Sequence, residues 1–266
     1  MQDGDLRHSP FTLKVIGLGS EGRAGVTLKA QEALGSLDAV IGYKLYMDQA
    51  EPFIRPGAQK IASGMTAETK RAEEAIKLAQ GGLKVGVVSG GDPGIYAMAG
   101  VVFEVAAALK VPLGEKAGEL SLQVIPGIPA LAAGAALLGA PLTHDFCAIS
   151  LSDRLTDWEK IKKRLDLASQ ADFVIVLYNP RSHGRPTRLR EAADILLKNL
   201  PPATPVGVAS RVGRAGESAQ IVTLGSLNVE EVDMQTILFI GNVSSFVYRD
   251  RLVTPRGYVR KYGVVA

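Results

Sequence analysis

Three short runs put glycine or proline where a strand should stop, and each could hold main-chain donors and acceptors against a small molecule. They are Gly17-Leu18-Gly19-Ser20-Glu21-Gly22, Ser89-Gly90-Gly91-Asp92-Pro93-Gly94-Ile95-Tyr96 and Ile125-Pro126-Gly127-Ile128-Pro129-Ala130. The first fits GxGxxG. In that motif glycines admit pyrophosphate to a helix N-terminus and an acid about 20 residues on takes the ribose. Here the second strand ends Val40-Ile41-Gly42-Tyr43-Lys44 with no acid, Asp38 lies ahead of it, and Glu21 sets negative charge inside the turn. A dinucleotide therefore fits poorly. A tight structural turn, or a ligand edge that needs close main-chain approach without phosphate, fits better. No GxxxxGK[ST] run exists, so a P-loop nucleotide site is excluded.

The second run follows the apolar strand VGVV directly. Three glycines and a proline-fixed φ are costly in chain entropy if they only reverse direction. Such a loop leaves main-chain groups open at a strand's carboxyl end, where open α/β sheets bind small molecules. Asp92 could instead cap a helix starting near Tyr96. Three such corners at successive strand ends can converge on one cleft, and that convergence favours a ligand more than any single turn does.

Other reactive side chains are sparse. His8, His144 and His183 have no HExxH or comparable spacing, so no metal site is expected; His144 and His183 read as hydrogen-bonding groups, with a substrate-facing role as the alternative. Cys147, the single cysteine, lies in a strand-like run and reads as a packed residue. It cannot form an internal disulfide, which suits a reducing compartment and a cytoplasmic location.

These residues need elements to hold them. At 266 residues the chain suggests two domains, and 47% hydrophobic with 21% charged residues excludes a mainly disordered chain. The net charge of +3 is too small to imply nucleic acid, no run approaches the length of a membrane span, and the opening MQDGDLRHSP lacks the apolar stretch of a signal peptide. Strands are predicted at 12–17, 39–41, 84–89 and 122–125, with helices at 27–37, 65–79 and 97–109, and a polar loop at 112–121. Repeated strand, glycine turn and helix units imply an open parallel α/β layer. Beyond a boundary near 139–144, strands are predicted at 146–151, 173–177, 205–209, 221–223 and 236–240, with helices at 157–169 and 188–198. The expected domains are 10–141 and 142–266.

VIGLG (15–19), SGGDPGIY (89–96) and VIPGIPA (124–130) together resemble the tetrapyrrole (corrin/porphyrin) methylase family across nearly the whole chain. IGYKLYMD (41–48), IASGM (61–65), HDFCAISLSD (144–153), LYNPRS (177–182) and VTPRGY (253–258) bring it nearer the branch that methylates C17 of precorrin-3B. The resemblance implies two α/β domains: an N-terminal, mostly parallel open sheet with helices on both faces, and a C-terminal mixed sheet. It also implies a homodimer, and S-adenosylmethionine held in a folded pose between the domains. The implied reaction is methylation of precorrin-3B or cobalt-precorrin-3 at C17, coupled to ring contraction, in cobalamin biosynthesis. By motif, Gly91, Asp92, Ile95, Pro129 and Ala130 become cofactor neighbours, joined by Tyr178, Ala209 and Thr236 from the second domain. Asp92 could also handle a proton or cationic character at the reacting carbon, although orienting the cofactor suits it better.

The first loop departs from the family pattern: relatives usually carry a proline where this chain has Ser20. In the family that loop is associated with tetrapyrrole entry, so the resemblance implies that Gly19 and Ser20 lie on the substrate side. An acetate- and propionate-bearing ring calls for planar arginine forks. Arg181, just past a strand end, is the best candidate. Arg214, in the glycine-rich RVGRAG, could move on binding, and Arg185, Arg188, Arg190 and Arg211 lie near these two. A solvated helix face is the alternative for Arg188 and Arg190. Rival readings are another position-specific tetrapyrrole C-methyltransferase, a dinucleotide-dependent oxidoreductase, or an anion-binding scaffold.

Overall fold

The computed structural model describes residues 10–264, Met65 and His183 excepted. Two compact units, Met1–Ala130 and Leu131–Ala266, divide the chain. In the first, β1 (Phe11–Gly17), α1 (Leu28–Leu34), β2 (Ala39–Tyr43), α2 (Lys44–Ala50), β3 (Gln59–Ser63), α3 (Glu68–Gln80), β4 (Val85–Ser89), α4 (Met98–Ala108) and β5 (Leu120–Ile125) follow in order. The strands lie side by side as β3-β2-β4-β1-β5, every pairing parallel.

The apolar strands cover two cores at once. Leu13, Val15, Val85 and Val87 pack against Ala72 and Ile76 of α3 and Val102 and Ala106 of α4. Their neighbours Ile16, Val40 and Val88 face the other way, onto Ala30 and Leu34 of α1 and Met47 of α2. Period-two alternation with both faces apolar is why these strands read as unbroken hydrophobic runs.

The same packing creates a switch point. β1 and β4 are neighbours, yet the chain leaves β1 toward α1 on one face and leaves β4 toward α4 on the other. A crevice opens at the carboxyl ends of two strands whose connections part in this way.

In the second unit, α5 (Ala130–Leu138) leads to β6 (Gly139–Ala140), β7 (Phe146–Ser150), α6 (Trp158–Gln170), β8 (Val174–Tyr178), α7 (Arg188–Leu196), β9 (Pro205–Ser210), β10 (Ser218–Thr223) and β11 (Thr236–Ile240). The hairpin β12 (Phe246–Tyr248) and β13 (Arg251–Val253) and the short α8 (Tyr258–Tyr262) close it. The main sheet, ordered β10-β9-β11-β8-β7, is mixed: β7 and β8 are parallel and the other neighbours antiparallel. β12, β13 and β6 form a small separate sheet.

α5 packs onto the mixed sheet. A Cβ on Gly134 would sit 3.1 Å from Ile237 and Phe239, and one on Gly207 would sit 2.5 Å from Leu138. This seat places α5 with the second unit, so the division precedes the 139–144 boundary read from the sequence. Helix ends follow ordinary capping: Thr27 accepts from the Ala30 amide, and Asp157 accepts from that of Glu159 at the start of α6.

Candidate active site

The loops after β1, β4 and β5 meet at the switch point. Gly19 and Gly91 exchange two main-chain hydrogen bonds, of 3.1 and 3.0 Å, and the Leu18 amide donates to Ser89 at 2.9 Å. Both glycines have positive φ, +73° and +62°, a region that side chains with a Cβ seldom enter. Gly127 fits between them: a Cβ there would lie 2.3 Å from the Gly91 carbonyl oxygen and 2.8 Å from the Gly19 nitrogen.

The open side of Gly91 faces the other predicted residues. The point a Cβ would occupy lies 3.5 Å from Ser20 Oγ, 3.9 Å from the Ala130 nitrogen and 3.9 Å from Pro129 Cα. Ser20, Gly91, Pro129 and Ala130 therefore border one spot, although they lie on three loops. Ile95 belongs to the same corner, its amide donating to the Asp92 carbonyl.

Asp92 ties the loops together. One carboxylate oxygen accepts from the Gly94 amide at 2.8 Å and the other from the Gly127 amide at 3.2 Å. It does not cap α4: Ala97 is the cap residue there, with no side-chain bond, and the Ala99 amide donates to the Pro93 carbonyl instead.

Two residues to which sequence reasoning gave no role support this corner, and a third ties β3 to α4. Gln49, on α2, donates from Nε2 to the carbonyls of both Leu18 and Gly22, each at 2.9 Å. Tyr46 lies against Gly90, where a Cβ would come within 2.5 Å of its ring. Arg71, on α3, is buried. Its guanidinium donates to Ser63 Oγ at 2.8 Å, to the Gly64 carbonyl at 3.0 Å and toward Met98 Sδ at 3.3 Å. Burial draws its pKa below the usual arginine range, with Glu68 and Tyr46 opposing, yet an arginine stays charged near neutrality. The one available signal was an arginine four residues before Ala75 on α3, one helical turn along the apolar face.

In the second unit, Tyr178, Ala209 and Thr236 sit on three adjacent strands at one end of the sheet. Ala209 pairs with Ile237, and Leu177 pairs with Leu238. Tyr178 and Ala209 share the α5 face, where the Tyr178 hydroxyl accepts from the Leu131 amide at 3.0 Å. Thr236 pairs with Ser210 and points to the opposite face. Its hydroxyl meets Ser210 Oγ at 2.8 Å and donates to Asp233 at 2.9 Å. Ile237 is the residue of that strand end that shares the face of Ala209.

The arginines are mostly engaged. Arg181 forms an ion pair with Glu230 and donates to its carbonyl at 2.8 Å. Arg188 is a structural group: it bonds Asp153 at 2.8 Å, meets Glu191, and stacks 4.6 Å over Trp158. Arg185 donates to the Leu151 carbonyl at 2.8 Å, and Arg211 faces Asp233 at 3.6 Å. Arg190 is exposed, and Arg214 is half-buried in its turn.

Cys147 packs beside the core of the second unit, and burial pushes its thiol up to about 11. His144 accepts the Asp145 amide at 2.8 Å in a half-exposed position, while His8 and His183 lie outside the described residues. Among the described residues no three His, Cys, Asp or Glu side chains gather as metal ligands, and no helix is long and apolar enough to cross a membrane.

Comparison with known proteins identifies the family. Residues 12–228, which contain all three loops, match the model of the tetrapyrrole (corrin/porphyrin) methylases. The probable cobalt-factor III C(17)-methyltransferase of Salmonella typhimurium is 44% identical over 246 residues, covering 92% of this chain and 99% of that protein. Cobalt-factor III methyltransferase of Priestia megaterium is 45% identical over 250 residues; the match covers 94% of this chain but only 46% of that longer protein. The crystal structure of the methyltransferase CobJ superposes with a TM-score of 0.85 at 35% identity, covering 92% of this chain and 99% of that one. A mostly parallel sheet followed by a mixed sheet is the architecture of that methyltransferase structure as well, and this chain belongs to the tetrapyrrole methylase family.

Proposed function

We propose that this protein transfers the methyl group of S-adenosylmethionine to C17 of precorrin-3B or cobalt-precorrin-3, in the path to cobalamin. The observation that carries the reading is the meeting of Ser20, Gly91, Pro129 and Ala130 around one point, in a chain 44% identical to a C(17)-methyltransferase over nearly its full length.

The residues present fit the donor. Gly91 leaves open the side that faces Ser20 and the Ala130 amide, which as the first of its helix has no helical partner. An amino-acid carboxylate can be held by main-chain groups of that kind. When bound, the sulfonium supplies an activated methyl: the new C–C bond takes its electron pair from the ring carbon, and the S–CH3 pair stays on sulfur. No enzyme nucleophile is needed, so the task of this chain is alignment and exclusion of water. Gly91, Asp92, Ile95, Pro129 and Ala130 are the proposed cofactor contacts from the first unit. Tyr178 and Ala209 are those from the second, with Thr236 offering its main chain only.

Asp92 holds the β4 and β5 corners in register, and any handling of a proton at the reacting carbon would use its remaining lone pairs. On the substrate side stand Gly19 and Ser20, with Arg181 exchanging Glu230 for a ring carboxylate and Arg214 reaching from its turn. Coupling to ring contraction, a homodimeric assembly and a cytoplasmic location complete the proposal. The family resemblance supports the first two, and a single cysteine suits the last.

Calorimetric titration with S-adenosylhomocysteine, NAD and GTP tests the donor. Binding of S-adenosylhomocysteine alone is expected, and binding of NAD alone would overturn the reading. Incubation with precorrin-3B should then add the mass of one methyl, and scattering should give twice the monomer mass.

A further inference from the structure

Gln49 makes two hydrogen bonds that no motif accounts for. Its single amide nitrogen donates one proton to Leu18 and the other to Gly22, at 2.9 Å each. The residues between those carbonyls are Gly19, Ser20 and Glu21, the segment in which this chain departs from the usual proline-bearing loop. That segment is held on its other side by the Gly19–Gly91 pair and by Ser20 Oγ donating to the Ile128 carbonyl at 3.3 Å. Gln49 is thus the anchor from α2, and it pins both ends of the segment at once.

The chemistry of the anchor is specific. Two carbonyl oxygens require two protons, and a primary amide supplies both from one neutral atom. A glutamate of the same length would bring an acceptor-only carboxylate against two acceptors.

We infer that Gln49 is a positioning residue for the tetrapyrrole: by fixing the lip that carries Gly19 and Ser20, it sets affinity for the ring far more than affinity for the donor, whose proposed contacts Gly91, Pro129 and Ala130 lie on the other two loops. This rests on the function proposed above. Gln49→Met keeps the shape and removes both donors. It should raise KM for the tetrapyrrole about tenfold, with kcat and affinity for S-adenosylhomocysteine each within about twofold of wild type. Gln49→Lys, which restores donors, should recover most of the loss. Gln49→Glu should be at least as impaired as Gln49→Met at neutral pH. Its KM should improve as pH falls toward about 4.3, where a carboxyl takes up a proton.

Amide hydrogen exchange across 19–25 gives a readout independent of turnover: it should speed up in the Met and Glu variants and return toward wild type with Lys. An unchanged KM and unchanged exchange in Gln49→Met would overturn the inference. So would a parallel loss of S-adenosylhomocysteine affinity, or a lysine variant no better than methionine. If wild-type protein fails to methylate the ring, the proposed function falls, and exchange alone then decides whether Gln49 holds the loop.

Discussion

At the scale of single residues, burial decides what each polar group can do. Asp92 gives both oxygens to main-chain amides on two loops, so its removal should loosen the corner. Asp92→Ala is expected to weaken S-adenosylhomocysteine binding about tenfold by calorimetry, with Asp92→Asn milder because one oxygen remains. Arg71 donates to Ser63 and Gly64 from a buried position, and Arg71→Met would leave both acceptors unmatched. A loss of about 1–3 kcal/mol in urea denaturation is expected.

Cys147 gives a pH prediction. Its folded pKa is raised to about 11 from an ordinary 9.0, so the unfolded chain gives up this proton first. The corresponding stability is whole below about 9 and declines as pH rises toward 11. A Cys147→Ala variant should lack that decline in denaturation midpoints, and the native thiol should react with iodoacetamide far more slowly at pH 8 than free cysteine does.

At the scale of elements, the parallel sheet works because each strand is apolar on both faces, and its corners work because three glycines interlock. Gly127 is the tightest point, with 2.3 Å from a would-be Cβ to the Gly91 carbonyl oxygen. That atom is main chain and cannot swing aside. Gly127→Ala should therefore cost about 1–3 kcal/mol through overpacking, read as a lowered denaturation midpoint, and should abolish measurable S-adenosylhomocysteine binding. Unaltered binding in a folded Gly127→Ala protein would show that the β5 corner is no part of the site.

Elements that alternate or run apolar were legible: β1, β4, β8 and β11 fall within a residue or two of their predicted positions. α2 and β3 were not. α2 is a seven-residue helix without a side-chain cap, and β3 is an edge strand whose residues are mostly exposed, so neither carries a hydrophobic period. β12 and β13 escaped for the same reason, being three residues each.

At the scale of the whole molecule, ligand linkage gives the broadest test. S-adenosylhomocysteine at a hundredfold excess over its Kd should stabilise the folded protein by about 2.7 kcal/mol. A calorimetric scan should show that as a rise of several degrees in Tm; no rise at saturating ligand would contradict a native-state site. The sequence alone determined the fold class, the three glycine corners and the family, because these depend on local pattern: apolar runs, turn residues and contiguous motifs. Only tertiary structure decided which side chains hold the corners. Gln49 reaches carbonyls 27 and 31 residues away, Asp92 reaches an amide 35 residues away, and Arg181 finds Glu230 across 49 residues. Such partners share no spacing in the chain, since a hydrogen bond is fixed by where the sheet brings two backbones together.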